Sequence, residues 1–213
     1  MTSPRFRHVA IEGPIAAGKS TLARLLSARL DARLLLERPE DNPFLEKYYA
    51  DSSRYALQTQ LTFLFQRVEQ YREVLQPGMF GAPGVVSDFM FEKDELFARL
   101  TLSDEEYRLY AQIHAEVAPR VPPPDLVVWL QAGSPALLKR IAQRGLAMEQ
   151  GIETGYLDGL CAAYATMFER NPTLPVLAVD TERFNPLREP SQVQRLIAAI
   201  DTFSGPRESL RLD

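Results

Sequence analysis

Several residue types that define other classes of protein are scarce in this chain of 213 residues. It has a single cysteine, Cys161, so no disulfide can form within the chain. Its two histidines, His8 and His114, are too few and too far apart in sequence to indicate a metal site. No apolar run approaches the roughly 18 residues of a membrane span, and Met1–Arg7 lacks the apolar core of a signal peptide. We therefore expect a cytoplasmic protein in a reducing compartment, without a membrane partner.

Charge and composition exclude further classes. The net charge is −4 and the pI is about 5.4, which argues against a surface that wraps a nucleic-acid polymer. The chain has no Asn-Lys-x-Asp run, the guanine reader of small GTPases, and no internal repeat. With 46% hydrophobic and 24% charged residues it predicts one globular domain over residues 1–213. We expect the last residues, 205–213, to be frayed.

A phosphate-binding loop is the strongest motif. After a short apolar strand at His8–Ile11 comes a run that fits G-x-x-x-x-G-K-[S/T], and then leucines at helical spacing. The run is Gly13, Pro14, Ile15, Ala16, Ala17, Gly18, Lys19 and Ser20, followed by Thr21. Its amides and the positive helix end would both face an anion. We expect it to bind ATP, with Lys19 reaching the β- and γ-phosphates and Ser20 holding Mg²⁺.

Five short apolar segments separated by helical patterns predict the fold. They lie at about 8–11, 33–36, 85–87, 126–130 and 176–179. Strands that alternate with helices form parallel sheets covered on both faces. We therefore predict a doubly wound α/β fold of the phosphate-loop kinase type, with a five-stranded parallel sheet flanked by helices and a lid loop at about 140–152.

Two acids follow predicted strands, at the edge where ligands bind in such sheets. Asp88 follows Val85-Val86-Ser87, the usual place of a second Mg²⁺ anchor, although a strand-end Asp can also cap the next turn. Glu37 follows the second strand and is a candidate general base for a hydroxyl acceptor. It also begins an acidic run with Glu40 and Asp41, so a plain surface acid is an equal alternative on composition.

Two arginines, Arg140 and Arg144, are four residues apart and share a helix face near the lid. Guanidinium groups closing over a transferring phosphoryl would stabilise its spread negative charge. A solvated basic face that includes Lys139 is the alternative.

The long helix predicted at about Ser53–Gln76 carries Gln60 and Arg67, seven residues apart and so about 10 Å from each other on one side. A Gln amide offers one donor group and one acceptor to the edge of a base. Spacing alone favours ordinary surface polar residues at these positions.

Taken together, these residues resemble the deoxynucleoside kinases, particularly the bacterial deoxyadenosine/deoxyguanosine kinases, over about Val9 to Asp180. The first shared signature is Glu37 with the segment Glu40-Asp41-Asn42-Pro43-Phe44. The resemblance implies that Glu37 is the general base at the 5′-hydroxyl. The second signature is Tyr49, then Arg54 through Gln60, then Arg67. It implies that Tyr49 contacts the sugar 3′-hydroxyl and that Gln60 and Arg67 read the base.

Two further signatures complete the resemblance. Asp88 is followed six residues later by Asp94, at the position of a base-contacting acid. Arg140-Ile141-x-x-Arg144-Gly145 resembles the phosphate lid, and Glu149 after it is the second 3′-hydroxyl partner. The implied substrate-binding set is Glu37, Tyr49, Gln60, Arg67, Asp88, Asp94 and Glu149. Catalysis is assigned to Glu37, Lys19, Arg140 and Arg144, and metal binding to Ser20 and Asp88.

The chain departs from the family pattern after its third strand. It has Asp88-Phe89-Met90 where the family has Asp/Glu-Arg-Ser/Thr, so the arginine that would meet the 5′-oxygen is missing. Phe89 cannot replace it. Lys93 or Arg38 is a hypothetical substitute, or the lid arginines carry more of the charge. The third basic position of the lid is Leu146.

The sequence thus predicts ATP- and Mg²⁺-dependent phosphorylation of a deoxynucleoside 5′-hydroxyl in nucleotide salvage. Arg67 with Asp94 resembles members that accept purines or cytosine, and favours deoxyadenosine and deoxyguanosine. Alternatives are a nucleoside-monophosphate kinase of the same fold, which needs more arginines at the acceptor, and a catalytically weakened nucleotide-binding module. Family members are commonly dimers through helices, and Leu109, Ile113 and Val117 would supply an apolar stripe for a homodimer.

Overall fold

One six-stranded parallel sheet forms the centre of the molecule. The computed structural model describes residues 5–75, 84–118 and 122–212. The strands are β1 (His8–Glu12), β2 (Arg33–Leu35), β3 (Val85–Ser87), β4 (Leu126–Gln131), β5 (Val176–Asp180) and β6 (Arg207–Arg211). Their order across the sheet is β2-β3-β1-β4-β5-β6. The α/β class and the parallel sheet flanked by helices are confirmed.

Helices connect these strands. They are α1 (Lys19–Leu30), α2 (Leu45–Ala50), α3 (Ser52–Leu75), α4 (Lys93–Thr101), α5 (Asp104–Val117), α6 (Ser134–Arg144), α7 (Thr154–Arg170) and α8 (Pro190–Thr202). Short 3-10 turns occupy Pro39–Asp41 and Ala147–Glu149, the latter inside the predicted lid. The end predicted for the long helix, Gln76, lies outside the described residues.

The position of β1 decides where a ligand can bind. This strand pairs with β3 on one side and with β4 on the other, so the chain leaves it in opposite directions. Such a reversal opens a crevice beyond the carboxyl ends of the strands. Strands β1 and β4 are almost wholly buried, with Leu22 and Leu26 of α1 packed against them. The phosphate loop, which joins β1 to α1, is thereby held at the crevice.

The predicted number of strands was too low by one. The tail expected to fray from residue 205 contains β6, which pairs in parallel with β5 from Val176 opposite Arg207 to Asp180 opposite Arg211. The polar sequence of β6 does not indicate a strand, because an edge strand buries few of its side chains. The end of the chain is nevertheless anchored: Leu212 is 2% exposed, and Gln192 Nε2 donates to its carbonyl at 2.9 Å.

The apolar stripe predicted on α5 is mostly part of the core. Ile113 and Val117 pack against a cluster formed by Leu64, Val68 and other residues, whereas Leu109 is 47% exposed. The spacing of the three residues marked an apolar helix face without showing that α3 covers two of them. Within the described part of the chain, no helix is long and apolar enough to cross a membrane.

Candidate active site

The phosphate loop has the backbone that its glycines were expected to allow. Gly13 and Gly18 have φ values of +145° and +99°, in the region that favours glycine. A Cβ on Gly13 would lie 2.5 Å from the carbonyl oxygen of Leu130, so the loop packs directly on β4. Lys19 Nζ donates to the carbonyls of Gly13 and Pro14 at 2.9 and 3.0 Å. Burial lowers the pKa of Lys19 to about 8, and the neighbouring charge of Lys93 adds to this effect.

The two lid arginines share a cleft with this loop. Arg140 and Arg144 line it together with Ala16 to Thr21 and with the segment 184–187 after β5. Arg140 donates to the carbonyl of Thr181, and Arg144 to a carboxylate oxygen of Glu149. The structure therefore places both arginines beside the loop that would carry the phosphates.

Asp88 connects the phosphate loop to the end of β2. Its Oδ2 accepts a hydrogen bond from Ser20 Oγ at 2.5 Å, and its Oδ1 accepts one from the backbone amide of Glu37 at 2.7 Å. Asp88 is 4% exposed. Strand β3 lies between β2 and β1, which explains why one carboxylate reaches both neighbours. The contact between Ser20 and Asp88 brings together the two residues predicted to hold Mg²⁺.

Glu37 is held by two cations. Its Oε1 accepts from Arg67 Nε at 2.9 Å and Nη2 at 2.6 Å, and its Oε2 accepts from Lys93 Nζ at 2.8 Å. Burial alone would raise the pKa of Glu37, but Lys93 and Arg67 outweigh it and set the pKa at about 2. Glu37 is thus a carboxylate at neutral pH, with its side chain 18% exposed.

The predicted base readers form one buried network. Arg67 Nη1 donates to Asp94 Oδ1, and Tyr110 donates from its hydroxyl to Asp94 Oδ2 at 2.5 Å. Gln60 Nε2 donates to the carbonyl of Asp94 at 2.9 Å. Asp94 is fully buried behind Arg67 and Gln60, which themselves line the cavity. Asp94 therefore contacts two residues of the cavity wall without lining the cavity itself. Its direct contact with a base remains a prediction.

A cavity of about 200 Å³ is lined by most of these groups, whereas Asp94 lies behind its wall and Arg140 lines only the neighbouring cleft. Tyr49 and Glu149, the predicted partners of a sugar hydroxyl, line it together with Arg144. Burial raises the pKa of Tyr49, and the nearby Glu149 raises it further, so this hydroxyl stays protonated. The lining combines polar and charged side chains with aromatic ones, which is the character of a nucleoside site. The other lining residues are Ile15, Ala16, Lys19, Ser20, Glu37, Pro39, Leu45, Tyr48, Ala56, Thr59, Gln60, Phe63, Arg67, Asp88, Lys93, Phe97, Thr101 and Tyr156.

Sequence reasoning missed Glu12. It ends β1, is fully buried, and accepts hydrogen bonds from the amide of Met90 at 2.7 Å and the hydroxyl of Tyr164 at 2.8 Å. Burial raises the pKa of Glu12, and the charges of Lys93 and Lys19 oppose that rise. The available signal was an acid at the end of an otherwise apolar strand, directly before the loop.

The aromatic wall was also missed. Four aromatic residues from four helices line the cavity: Tyr48, Phe63, Phe97 and Tyr156. Within its own helix, each is spaced like an ordinary core residue. Thr59, beside them, has a buried Oγ1 with no hydrogen-bond partner.

The departure at position 89 has a structural explanation. Phe89 is fully buried and packs edge-on against Tyr71, with ring centroids 5.5 Å apart. It belongs to the core and does not face the cavity. Arg38 is exposed and does not line the cavity, whereas Lys93 does. Of the two suggested substitutes, only Lys93 is in place.

Comparisons with known proteins bear on the family and on the fold. The family model described as deoxynucleoside kinase matches residues 9–204. A deoxyguanosine kinase of Bacillus subtilis is 33% identical over 196 residues, covering 90% of this chain and 95% of the relative. A deoxyadenosine/deoxycytidine kinase of the same organism is 27% identical over 205 residues, covering 92% and 93%. The fold matches a deoxyadenosine kinase from M. mycoides with bound dATP, with a TM-score of 0.79, 23% identity, and 92% and 100% of the two chains covered.

Proposed function

The chain belongs to the deoxynucleoside kinase family, and we propose from this that it transfers the γ-phosphoryl group of ATP to the 5′-hydroxyl of a purine deoxynucleoside. One observation carries the proposal. Lys19 of the phosphate loop and the Asp88–Ser20 pair open onto the same cavity as Glu37, Gln60 and Arg67. A donor phosphate and a nucleoside hydroxyl would therefore meet in one place, as in-line transfer requires.

The donor would lie in the cleft between the phosphate loop and the lid. Loop amides and Lys19 would bind the phosphates there, and Arg140 and Arg144 would close over them. The segment 184–187 would flank the remainder of the nucleotide. Closure of the lid would exclude water, which competes with the hydroxyl as acceptor.

A magnesium ion fits the residues present. The hydroxyl of Ser20 and the carboxylate of Asp88 are hard oxygen ligands that already touch, and phosphate oxygens would complete the shell. Across the residues that the structure describes, no group of three or more His, Cys, Asp or Glu side chains would hold a metal without a ligand. When bound, Mg²⁺ would neutralise charge on the phosphates.

Glu37 would take the proton of the 5′-hydroxyl. Its two cationic partners keep it ionised, and it lies where the nucleoside cavity approaches the phosphate loop. Tyr49 and Glu149 would bind the 3′-hydroxyl. A site built to bond a 3′-hydroxyl and a particular base discriminates strongly, because an ill-fitting nucleoside leaves buried polar groups unpaired.

The preference for purines rests on the base end of the cavity. Gln60 donates one amide hydrogen to Asp94, which leaves its carbonyl oxygen and second hydrogen for a base edge. Arg67 adds donors of the kind that bond guanine O6 and N7. The relatives named as deoxyguanosine and deoxyadenosine kinases favour the same choice.

A nucleoside-monophosphate kinase is the nearest alternative. It would have to bind an acceptor phosphate, but Glu37 and Glu149 face the acceptor end of the cavity, and Arg67 and Arg144 are already paired with them. These carboxylates would repel a second phosphate. The arrangement favours an uncharged acceptor.

The test is transfer from γ-labelled ATP with Mg²⁺ to deoxyadenosine, deoxyguanosine, deoxycytidine, thymidine and dAMP. We expect monophosphate from the purine deoxynucleosides, and a loss of about 10²- to 10⁴-fold in Glu37→Gln. Turnover of dAMP alone would assign the protein to the monophosphate kinases. Tight ATP binding without any turnover would indicate a nucleotide-binding module.

We also propose that the protein is cytoplasmic, as expected from its composition, and a homodimer, as the family resemblance implies. Two large apolar side chains are left exposed on neighbouring helices: Phe65 of α3 is 52% exposed and Leu109 of α5 is 47% exposed. Light scattering after size-exclusion chromatography would give the mass in solution. A single species near 24 kDa at micromolar concentration would contradict the dimer.

A further inference from the structure

We propose that Lys93 is a catalytic residue, the cation that stands beside the acceptor 5′-hydroxyl during phosphoryl transfer. The inference rests on the proposed function and adds a residue to its machinery. Lys93 begins α4, five residues after Asp88, and its side chain is 3% exposed yet reaches the cavity wall. Burying an ammonium group is costly unless it is paired, so a lysine here needs a reason.

The hydrogen bonds on Glu37 show where the acceptor would lie. Oε1 accepts from Arg67 twice, whereas Oε2 accepts from Lys93 Nζ alone, at 2.8 Å. A carboxylate oxygen has two lone pairs, so Oε2 is the oxygen with room for a hydroxyl. A 5′-hydroxyl bonded to Oε2 would lie roughly 4–5 Å or less from Lys93 Nζ, since both atoms would be about 2.8 Å from the same oxygen.

The charges around Lys93 indicate a role in stabilising the phosphoryl group during transfer. Lys19 belongs to the phosphate loop on the donor side, and Lys19 and Lys93 both line the cavity. The buried carboxylate of Glu12 interacts with both cations. Phosphoryl transfer spreads negative charge over the equatorial oxygens and stretches it between donor and acceptor. The ammonium groups of Lys19 and Lys93, on the donor and acceptor sides, would stabilise this negative charge.

Aromatic rings keep the ammonium group in place. Its Nζ is 5.9 Å from the ring centroids of both Phe89 and Phe97. The ring of Phe89 thus lies beside the ammonium group of Lys93 on the core side. The family pattern has an arginine at position 89. Lys93, the first residue of the next helix, compensates for the sequence change at position 89.

The step balances without a further reactant. The 5′-hydroxyl proton passes to Glu37 Oε2, a bond forms between O5′ and the γ-phosphorus, and the bond from that phosphorus to the β,γ-bridging oxygen breaks. ADP leaves with the electron pair. Lys93 takes no part in the proton transfer and acts by its charge.

The experiment compares Lys93→Met and Lys93→Arg with Lys139→Met, an exposed lysine of α6 that lies outside both clefts. We expect Lys93→Met to lower kcat by about 10²- to 10³-fold. The KM for deoxynucleoside should change by less than about 5-fold, because the charge acts mainly in the transition state. Lys93→Arg should recover part of kcat, and Lys139→Met should match the wild type.

A second readout separates this role from a merely structural one. Without Lys93, the pKa of Glu37 should rise, so the acid limb of kcat/KM should move to higher pH in Lys93→Met. If Lys93→Met does not fold, Lys93→Ala assayed with added methylammonium replaces it, and a saturable rise in kcat supports the proposal. Absence of any rescue would overturn it.

The outcomes distinguish the two proposals. A wild type that phosphorylates deoxynucleosides, together with a folded Lys93→Met variant whose kcat is within about 3-fold of it, overturns the role of Lys93 alone. A higher KM with unchanged kcat does the same, because it indicates uniform binding. A wild type that turns over no deoxynucleoside overturns the proposed function, and this role with it.

Discussion

Arg67 donates two hydrogen bonds to the same oxygen of Glu37, from Nε at 2.9 Å and from Nη2 at 2.6 Å. The side chain proposed to read the base therefore also holds the side chain proposed to take the proton. Behind Arg67, the buried carboxylate of Asp94 is bonded by Tyr110. The residues proposed for recognition and for proton transfer thus share one chain of contacts, so changes at the proposed base end should affect the proposed reacting end.

Arg67→Met should disturb stability and catalysis together. It would leave Glu37 and Asp94 without their shared cation, and breaking a buried ion pair from one side costs about 3–5 kcal/mol. Urea unfolding would measure the loss. Arg108→Met is the matched control, since that arginine pairs with Glu105 on the surface and such pairs contribute about 0–1 kcal/mol. Equal losses in the two variants would contradict the network.

Gly13→Ala should abolish ATP binding or folding. The added Cβ would meet a backbone carbonyl oxygen at 2.5 Å, and the φ of +145° is strained for alanine. Gly155→Ala, in the first turn of α7, has open space and should leave binding unchanged with equal or slightly higher stability. Titration with a fluorescent ATP analogue and thermal melting would compare the two. Wild-type affinity in Gly13→Ala would be incompatible with this loop packing on β4.

Removal of residues 206–213 should destabilise the protein, because it uncovers the outer edge of β5 and removes the buried Leu212. The point variant Leu212→Ala should lower the free energy of unfolding by about 2 kcal/mol, the lower end for a buried leucine. Chemical denaturation would measure both. Wild-type stability in the truncated chain would contradict this prediction and support the frayed tail expected from the sequence.

Stability should fall as the pH is lowered from about 6.5 towards 4, in part through His8. Burial lowers the pKa of His8 to about 4, against a smaller opposing effect of Asp125. Between these pH values the unfolded chain binds a proton at His8 that the folded chain does not, so acid favours unfolding. Below about pH 4 this loss is complete and constant. Melting temperatures between pH 4 and 8 should show a flatter profile in His8→Asn.

The same slope in His8→Asn and in the wild type would assign the effect to other groups. His8 Nε2 lies 2.8 Å from Ser87 Oγ, and that hydroxyl donates onward to the carbonyl of Phe89 at 2.6 Å. Asn removes the titrating group but is too short to replace Nε2 at Ser87. A drop in melting temperature that is equal at every pH reports the lost contact, whereas a change in slope reports the lost titration.

Much of the site could be predicted because its residues occupy local patterns. The phosphate loop is contiguous, and Glu37 and Asp88 each follow a strand, so a parallel sheet must bring them to one edge. The fold class followed from these patterns and the family from the resemblance of the signature residues, and both are confirmed. The number of strands was wrong because β6 has an edge strand's polar composition, which periodicity does not distinguish from a loop.

The sequence by itself determined the class of chemistry, since a phosphate loop and strand-end acids act through backbone geometry that a few consecutive residues impose. Only the tertiary structure decided which charges meet. Lys93 pairs with Glu37 across 56 positions, Arg67 with Asp94 across 27, and Phe89 turns into the core. Such contacts depend on how α3 and α4 pack beside β3. No local rule specifies them, because electrostatic and packing energies depend on distances that are set when the whole core forms.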